Sequence, residues 1–350
     1  MVIKRSLKIS LDFGNTGKKE ELDLLWEAYQ QAMKDFLDRL FSNQDLSEDF
    51  LKSYESPLSY RYKQCAKRQA MKIFKCWCRG EKKKNKPELR NPSITVDYRF
   101  VEVLESGNSF DFWIKISTLD KGNPILIPAR SYNYLNKYFE SWDLVKGGRL
   151  IKQKDKWFLL LTFQKEAPEN RSYGKIIGVD IGYRKLITDS DDNRFGTEIK
   201  PLIDNADRKK QFSKGYYKAK EEIKNYINSE LKKVVSPEVK IVVLEDLKDL
   251  KKGKRGKWSR SINRKFSFWI YSHVLTRISQ LCEVAGVQWH KVDPAYTSQK
   301  CPECRHTEKG NRRGEWFKCL QCGFEADADH VGALNILSRF TGENIVPQVE

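Results

Sequence analysis

Four cysteines near the end of the chain have the spacing of a metal site. The pairs Cys301-x2-Cys304 and Cys319-x2-Cys322 are separated by fourteen residues. Two short knuckles with this spacing can converge on one tetrahedral Zn²⁺ ion with four thiolate ligands. Because such a site leaves no coordination position open, we expect one structural zinc ion rather than a catalytic one.

Acidic residues form a second set that could do chemistry. Asp180 ends the apolar stretch "IIGVD", Glu245 ends "IVVLE", and Asp327 and Asp329 open the last helical pattern. Ligands bind at the carboxyl ends of strands in open α/β sheets. Three carboxylates there can hold two Mg²⁺ ions about 4 Å apart, an arrangement that supports phosphodiester hydrolysis. For any one of these acids alone, a turn or a helix cap is the simpler interpretation.

The charge of the chain indicates a polyanionic partner. Its 350 residues include 65 Lys and Arg against 47 Asp and Glu, a formal net charge of +18. Such an excess favours nucleic-acid binding over a merely basic surface. Between the cysteine pairs, Lys309, Arg312 and Arg313 stand near Trp316 and are candidate phosphate contacts, with solvated loop charges as the alternative.

Composition excludes several classes of protein. Hydrophobic residues make up 39% of the chain, which indicates a folded protein rather than a disordered one. The beginning, "MVIKRSLKIS", lacks the apolar core of a secretory signal, and the longest apolar run, "WFLLLTF", is too short to cross a membrane. We therefore expect a cytoplasmic protein without a membrane partner, in which cysteines serve as thiols or metal ligands.

The N-terminal half combines strands with helices. Alternating apolar residues predict a strand at residues 3–13, and three- or four-residue spacing predicts helices over about 22–40 and 58–79. From about 94 to 165 strands dominate, including "ITVDYRFVEVL" as one strand and "QKDK" as a hairpin turn. Short antiparallel strands of this kind suggest a small β-barrel.

The C-terminal half alternates strands with helices, which indicates an α/β domain. "KIIGVDIG", "VKIVVLEDL" and "GVQWHKV" are predicted strands, and "KLITDSDDNRFG" is predicted to form two short ones. A single polar helix is predicted over about 206–234, a second helix follows the basic stretch, and "GALNILSRF" closes the domain.

Several of these segments together resemble a known family. "GVDIG" at 178–182, "VLEDL" at 243–247, "DPAYTSQKCPEC" and "CLQCGFEADADHVGALNIL" are similar to the TnpB proteins, transposon-encoded relatives of the type V CRISPR effectors. The similarity covers residues 176–340. It implies an RNA-guided DNA endonuclease with a guide RNA and target double-stranded DNA as partners, and one protein copy per RNA is the expectation.

The resemblance also implies which acids bind Mg²⁺. They are Asp180, Glu245 and Asp329, because the family pattern Asp-x-Asn-Ala-Ala-x-Asn-Ile places its acid at position 329 rather than at Asp327. The chain departs from the family at Val331, where an asparagine is expected, and at Arg305, where glycine is frequent.

The implied fold is an α/β RuvC-like (RNase H-like) nuclease domain with a four-cysteine zinc-ribbon insertion, plus an N-terminal β-barrel with a helical insertion. The expected boundaries are 1–14 and 94–166 for the barrel, 15–93 for the helical insertion, 167–296 and 326–350 for the nuclease domain, and 297–325 for the zinc ribbon.

A basic run at 248–265 follows the Glu245 segment. In an RNA-guided nuclease it is expected to contact the guide–target heteroduplex through charge and shape; a localisation signal or a loose surface loop is the alternative. The candidate contacts are Lys251, Lys252, Lys254, Arg255, Lys257, Arg260 and Arg264.

Three other functions remain as alternatives. The first is an RNA-guided DNA-binding repressor without nuclease activity, against which the complete set of acids argues. A RuvC-type structure-selective resolvase would share the acids but not the N-terminal half. A plain zinc-ribbon DNA-binding protein would explain the charge and the cysteines but not the acids at the strand ends.

Overall fold

The computed structural model describes residues 1–80, 85–105, 109–247 and 271–343. The chain forms two compact units, Met1–Glu166 and Ala167–Glu350. The finer division into four domains stays a prediction. Among the described residues, no helix has both the length and the apolar character needed to cross a membrane.

The first unit contains two antiparallel sheets. The four-stranded sheet has the order β1, β7, β6, β2, and the three-stranded sheet has the order β3, β4, β5. These strands are β1 (Val2–Ser10), β2 (Ile94–Val96), β3 (Val101–Glu105), β4 (Phe112–Ile116), β5 (Ile125–Ala129), β6 (Asp143–Gln153) and β7 (Lys156–Glu166). Because the described ladders form two separate sheets, a closed barrel is not confirmed.

Local turns decide how these strands are divided. The expected hairpin joins β6 to β7, with Lys154 and Asp155 both at positive φ, as in a type I′ turn. The prediction of one strand through "ITVDYRFVEVL" is wrong. The chain turns at Asp97, whose carbonyl accepts the Phe100 amide at 2.9 Å, so the segment supplies strands to both sheets.

The described residues of the first unit also form four helices. They are α1 (Thr16–Phe41), α2 (Glu48–Ser53), α3 (Tyr60–Arg79) and α4 (Asn133–Ser141). Helices α1 and α3 begin where the side chains of Asn15 and Ser59 accept backbone N–H groups of the first turn. Their apolar faces pack with both sheets into one core that includes Tyr29, Tyr62 and Trp157.

The second unit is built on a five-stranded sheet with the order β10, β9, β8, β11, β12. Its strands are β8 (Lys175–Asp180), β9 (Ile187–Asp189), β10 (Arg194–Phe195), β11 (Val239–Glu245) and β12 (Gln288–Val292). Strands β8, β11 and β12 run parallel, while β9 and β10 form an antiparallel edge. The alternation of strands and helices that the sequence predicts is confirmed.

Among its described residues, this unit has the α-helices α5 (Ile199–Asp207), α6 (Lys214–Val234), α7 (Tyr271–Ala285) and α8 (Ala328–Thr341). The single polar helix predicted over 206–234 is wrong. Phe212 has a φ of 64°, and the Ser213 side chain accepts the Tyr216 amide, so a new helix starts after this break. A small three-stranded sheet follows, comprising β13 (Arg312–Arg313), β14 (Trp316–Lys318) and β15 (Glu325–Asp327).

Candidate active site and zinc module

Parallel pairing brings two of the predicted acids to one edge of the sheet. In the β8–β11 ladder Val179 pairs with Leu244, and the next residues are Asp180 and Glu245, the last of their strands. The carboxyl ends of parallel strands lie at the same edge, which is where α/β proteins bind their ligands. Both acids are partly buried.

Helix α8 approaches this edge closely because glycines leave room for it. A Cβ atom on Gly178 would lie 2.2 Å from the Ala333 carbonyl oxygen and 2.7 Å from the Leu337 nitrogen. A Cβ atom on Gly332 would lie 3.3 Å from the Asp180 carboxyl group. The glycines therefore allow α8 to place its first turn against Asp180.

The two aspartates at the start of α8 have different surroundings. Asp327 is the N-cap residue, and its Oδ1 accepts the amides of Asp329 at 3.0 Å and His330 at 3.3 Å. Lys185 also donates to Asp327 Oδ2 at 2.5 Å. Asp329 lies inside the first turn and is buried, with its carboxylate near Asp180. The structure thus brings Asp180, Glu245 and Asp329 together and gives Asp327 a capping role.

The grouped carboxylates disfavour one another's charge. Burial, followed by the charges of Glu245 and Asp329, raises the pKa of Asp180 to about 8. Burial also raises the pKa of Glu245, although the hydrogen bond from Thr297 and the charge of Arg312 oppose this. Burial and the neighbouring carboxylates therefore favour the protonated form of Asp180, and a bound cation would favour the charged form.

Basic side chains partly neutralise the negative charge of the carboxylates. Arg312 Nη2 donates to Asp329 Oδ1 at 3.0 Å, and Lys185 Nζ lies 3.9 Å from Asp329 Oδ2. Arg194 lies 3.8 Å from Asp327. Arg312 was predicted from the sequence to contact a nucleic-acid phosphate, and this stays a prediction. In the structure its guanidinium group binds an acid of the candidate site.

Sequence reasoning missed the residues that hold Glu245. The Thr297 hydroxyl, from a buried side chain, donates to Glu245 Oε1. Tyr271 Oη donates to the Glu245 carbonyl at 2.5 Å. Asn335 Nδ2 donates to the carbonyls of Thr297 at 2.7 Å and Lys300 at 2.8 Å, fixing the loop that carries the threonine. The available signal was the polar "YTSQ" beside the first cysteine pair.

The carboxylate set fits hard divalent cations by its chemistry. It offers only oxygen ligands, and a bound cation would favour the charged form of Asp180, which burial and the charges of Glu245 and Asp329 disfavour. Three carboxylates at one sheet edge are a ligand set that can hold two such ions about 4 Å apart.

The four cysteines form a compact cluster. Cys301 Sγ lies 3.7 Å from Cys322 Sγ, and Cys304 Sγ lies 3.5 Å from Cys319 Sγ. Four sulfur atoms placed about 2.3 Å from one Zn²⁺ ion in a tetrahedron would be about 3.8 Å apart. The donor set therefore fits zinc.

Val331 belongs to the zinc module rather than to the acids. Its side chain is fully buried in an apolar cluster that includes Cys301, Phe317, Cys319 and Ala328. At this position the side chain therefore packs α8 against the cysteine cluster.

Of the other predicted nucleic-acid contacts, the structure describes only Lys309 and Arg313. Lys309 and Arg313 are exposed on the zinc module. The seven basic residues of the 248–265 run lie outside the described residues, and their role stays a prediction. Cys65 and Cys282 are buried, while Cys76 and Cys78 are exposed.

Sequence comparisons detect the same region as the motifs do. The family model for the "Cas12f1-like, TNB domain" matches residues 271–336. The CRISPR-associated endodeoxyribonuclease Cas12f1 of Sulfoacidibacillus thermotolerans is 46% identical over 69 residues, 19% of this chain and 16% of that protein. The putative RNA-guided DNA endonuclease InsQ of Escherichia coli K12 is 30% identical over 254 residues, 63% of each chain.

Solved structures show a similar fold over most of the chain. A Cas12f1 protein in complex with sgRNA and target DNA superposes with a TM-score of 0.55 at 14% identity, over 91% of this chain and 82% of that one. The mini-RNA-guided endonuclease CRISPR-Cas phi3 gives the same TM-score at 12% identity, over 97% and 92% of the chains.

The fold is thus similar to that of Cas12f1 and of CRISPR-Cas phi3 over most of the chain. Its sequence is similar to those of a TnpB-like protein and of Cas12f1, as the sequence resemblance predicted. Its matches span less than two thirds of the length of the curated relatives Cas12f1 and InsQ.

Proposed function

We propose that this protein is an RNA-guided DNA endonuclease that hydrolyses phosphodiester bonds with Mg²⁺. The observation that carries the proposal is the meeting of Asp180, Glu245 and Asp329 at two parallel strand ends and one helix start. The relatives named RNA-guided DNA endonuclease and endodeoxyribonuclease support the same kind of reaction.

The three acids would hold two Mg²⁺ ions. When bound, these ions supply an activated water molecule and stabilise the leaving oxygen. The protein's own part is to orient the ligands: Thr297 fixes one oxygen of Glu245, and the first turn of α8 holds Asp329 against Asp180. One structural zinc ion bound by the four cysteines would fold the module that carries Arg312.

A guide RNA and target double-stranded DNA are the proposed partners, with one protein copy per RNA. The formal net charge of +18 suits two polyanions. The solved Cas12f1 structure of similar fold is a complex with sgRNA and target DNA.

The proposal is tested by purifying the protein from a host in which the DNA that flanks its gene is also transcribed. Sequencing of the co-purified RNA is expected to show one defined transcript. The complex is expected to cut DNA that matches the end of this RNA, only with Mg²⁺, and to leave a scrambled sequence intact. Absence of a defined RNA would contradict the proposal, and guided binding without cutting would indicate a repressor.

A further inference from the structure

A buried threonine lies opposite Asp180 in the sheet. In the antiparallel ladder of β8 and β9, Asp180 pairs with Thr188. The side chains of directly opposite residues lie on the same face of a sheet, with their Cβ atoms about 4.5–5.5 Å apart. Helix α8 covers this face, because a Cβ atom on Gly332 would lie 3.3 Å from the Asp180 carboxyl group. Thr188 is therefore a neighbour of the candidate site, and it is only 1% exposed.

The Thr188 hydroxyl has no hydrogen-bond partner among the described residues. The next two side chains along the chain do have partners. Asp189 Oδ1 accepts the Asn193 amide at 2.8 Å. Ser190 Oγ accepts the Gly178 amide at 3.2 Å. A buried hydroxyl without a partner costs free energy that a valine of the same shape would avoid, so the threonine indicates a partner that the described chain does not supply by itself.

Asp180 is also the acid that lacks a side-chain donor. The Thr297 hydroxyl donates to Glu245 Oε1, and Arg312 Nη2 donates to Asp329 Oδ1. Asp180 differs, because its hydrogen bond comes from the backbone and, within the described parts of the chain, not from a side chain. An unpartnered hydroxyl therefore lies opposite a carboxylate without a side-chain donor.

We propose that Thr188 is a positioning residue for Asp180, whose carboxylate accepts a hydrogen bond from the Thr188 hydroxyl when a divalent cation is bound. A carboxylate that binds a cation keeps further lone pairs, and a donor beside it fixes its orientation. This inference rests on the proposed nuclease function, and it adds that β9 contributes a residue to the site.

Substitution Thr188→Val separates this role from a structural one. It removes the hydroxyl and keeps the shape, so the denaturant midpoint of the cation-free protein is expected to equal or exceed that of the wild type. Binding of Mn²⁺ is measured by isothermal titration calorimetry, and the part that Asp180→Asn abolishes belongs to this site. The affinity of that part is expected to fall about 10-fold in Thr188→Val, and guided DNA cleavage is expected to slow with it.

The matched controls are Thr188→Ser and Thr118→Val. Serine keeps the hydroxyl, so Thr188→Ser is expected to bind Mn²⁺ with nearly the wild-type affinity. Thr118 is 6% exposed, and its hydroxyl donates to Glu21 Oε2 at 2.8 Å. Thr118→Val therefore removes a hydroxyl that has a partner, and it is expected to lower the denaturant midpoint and leave the Mn²⁺ affinity unchanged.

Failure of this inference and failure of the proposed function give different results. Wild-type Mn²⁺ affinity in Thr188→Val would overturn the positioning role. A lowered denaturant midpoint would also overturn it, because the hydroxyl would then have a partner without the cation. In both cases the proposed function stands if Asp180→Asn abolishes cation binding and guided cleavage. If the wild type binds no more Mn²⁺ than Asp180→Asn does, both are wrong.

Discussion

Asp327 and Asp329 are two residues apart and have different roles. The Asp327 carboxylate accepts hydrogen bonds from two backbone amides and from Lys185. Burial acts to raise the pKa of Asp327, but the hydrogen bond from Lys185 keeps this pKa below its usual value. Asp329 instead contributes to the field that raises the pKa of Asp180. The spacing of the residues left both candidates open, since cap geometry depends on where the helix begins.

At the residue scale, Thr297 is predicted to position Glu245. Thr297→Val removes the hydroxyl and keeps the shape, so guided DNA cleavage is expected to fall about 10- to 100-fold, the usual effect of losing a partner behind a metal ligand. The Mg²⁺ concentration for half-maximal rate is expected to rise. Initial cleavage rates over a Mg²⁺ titration measure both.

Thr297→Ser is the matched control, because it keeps the hydroxyl that donates to Glu245. It is expected to cut at nearly the wild-type rate. Equal rates for the valine and wild-type proteins at every Mg²⁺ concentration would exclude a positioning role.

At the scale of elements, the contact between β8 and α8 is predicted to tolerate no added methyl group. In Gly178→Ala the new Cβ atom would meet the backbone of α8 at 2.2 Å, so we expect a loss of about 1–3 kcal/mol or more in the free energy of unfolding. Gly215→Ala is the control, since its Cβ atom would have only ordinary contacts at 3.8 Å. Denaturant unfolding measures the free energy of unfolding of both variants. A Gly178→Ala protein as stable as the wild type would contradict the close packing of α8 against β8.

The zinc module is predicted to stabilise the start of α8. Cys301 and Cys319 pack with Ala328 and Val331, and a structural zinc ion contributes about 10 kcal/mol of binding free energy to folding. Cys319→Ser is therefore expected to lower the unfolding temperature and to speed hydrogen exchange of the first α8 amides.

The exposed thiol of Cys78 provides the control for this experiment. Cys78→Ser is expected to leave both the unfolding temperature and the exchange rates unchanged. If chelation of the wild type or Cys319→Ser changes neither quantity, the cluster has no structural role.

The helices and strands also show which features the sequence pattern could predict. The strands that end at Asp180 and Glu245 were predictable because apolar runs end abruptly in an acid. The break between α5 and α6 and the turn at Asp97 were not, because each depends on a few hydrogen bonds within an otherwise continuous pattern.

At the scale of the whole molecule, the kinds of site were easier to predict from the sequence than the positions of their residues in space. The cysteine spacing predicted a metal cluster because its ligands are close in sequence. The contact of Arg312 with Asp329 was not predictable, because it depends on how the zinc module folds back onto α8. The net charge of +18 indicated a polyanionic partner without indicating where it binds.

Asp329 is proposed to belong to the nuclease site, whereas Asp327 is proposed only to cap α8. The measurement is guided DNA cleavage by the RNA-loaded Asp329→Asn and Asp327→Asn proteins, with target binding measured alongside. Asparagine at 327 still caps a helix, so this variant is expected to cut. Asp329→Asn is expected to bind the target without detectable cutting; cutting at the wild-type rate by Asp329→Asn would contradict the account.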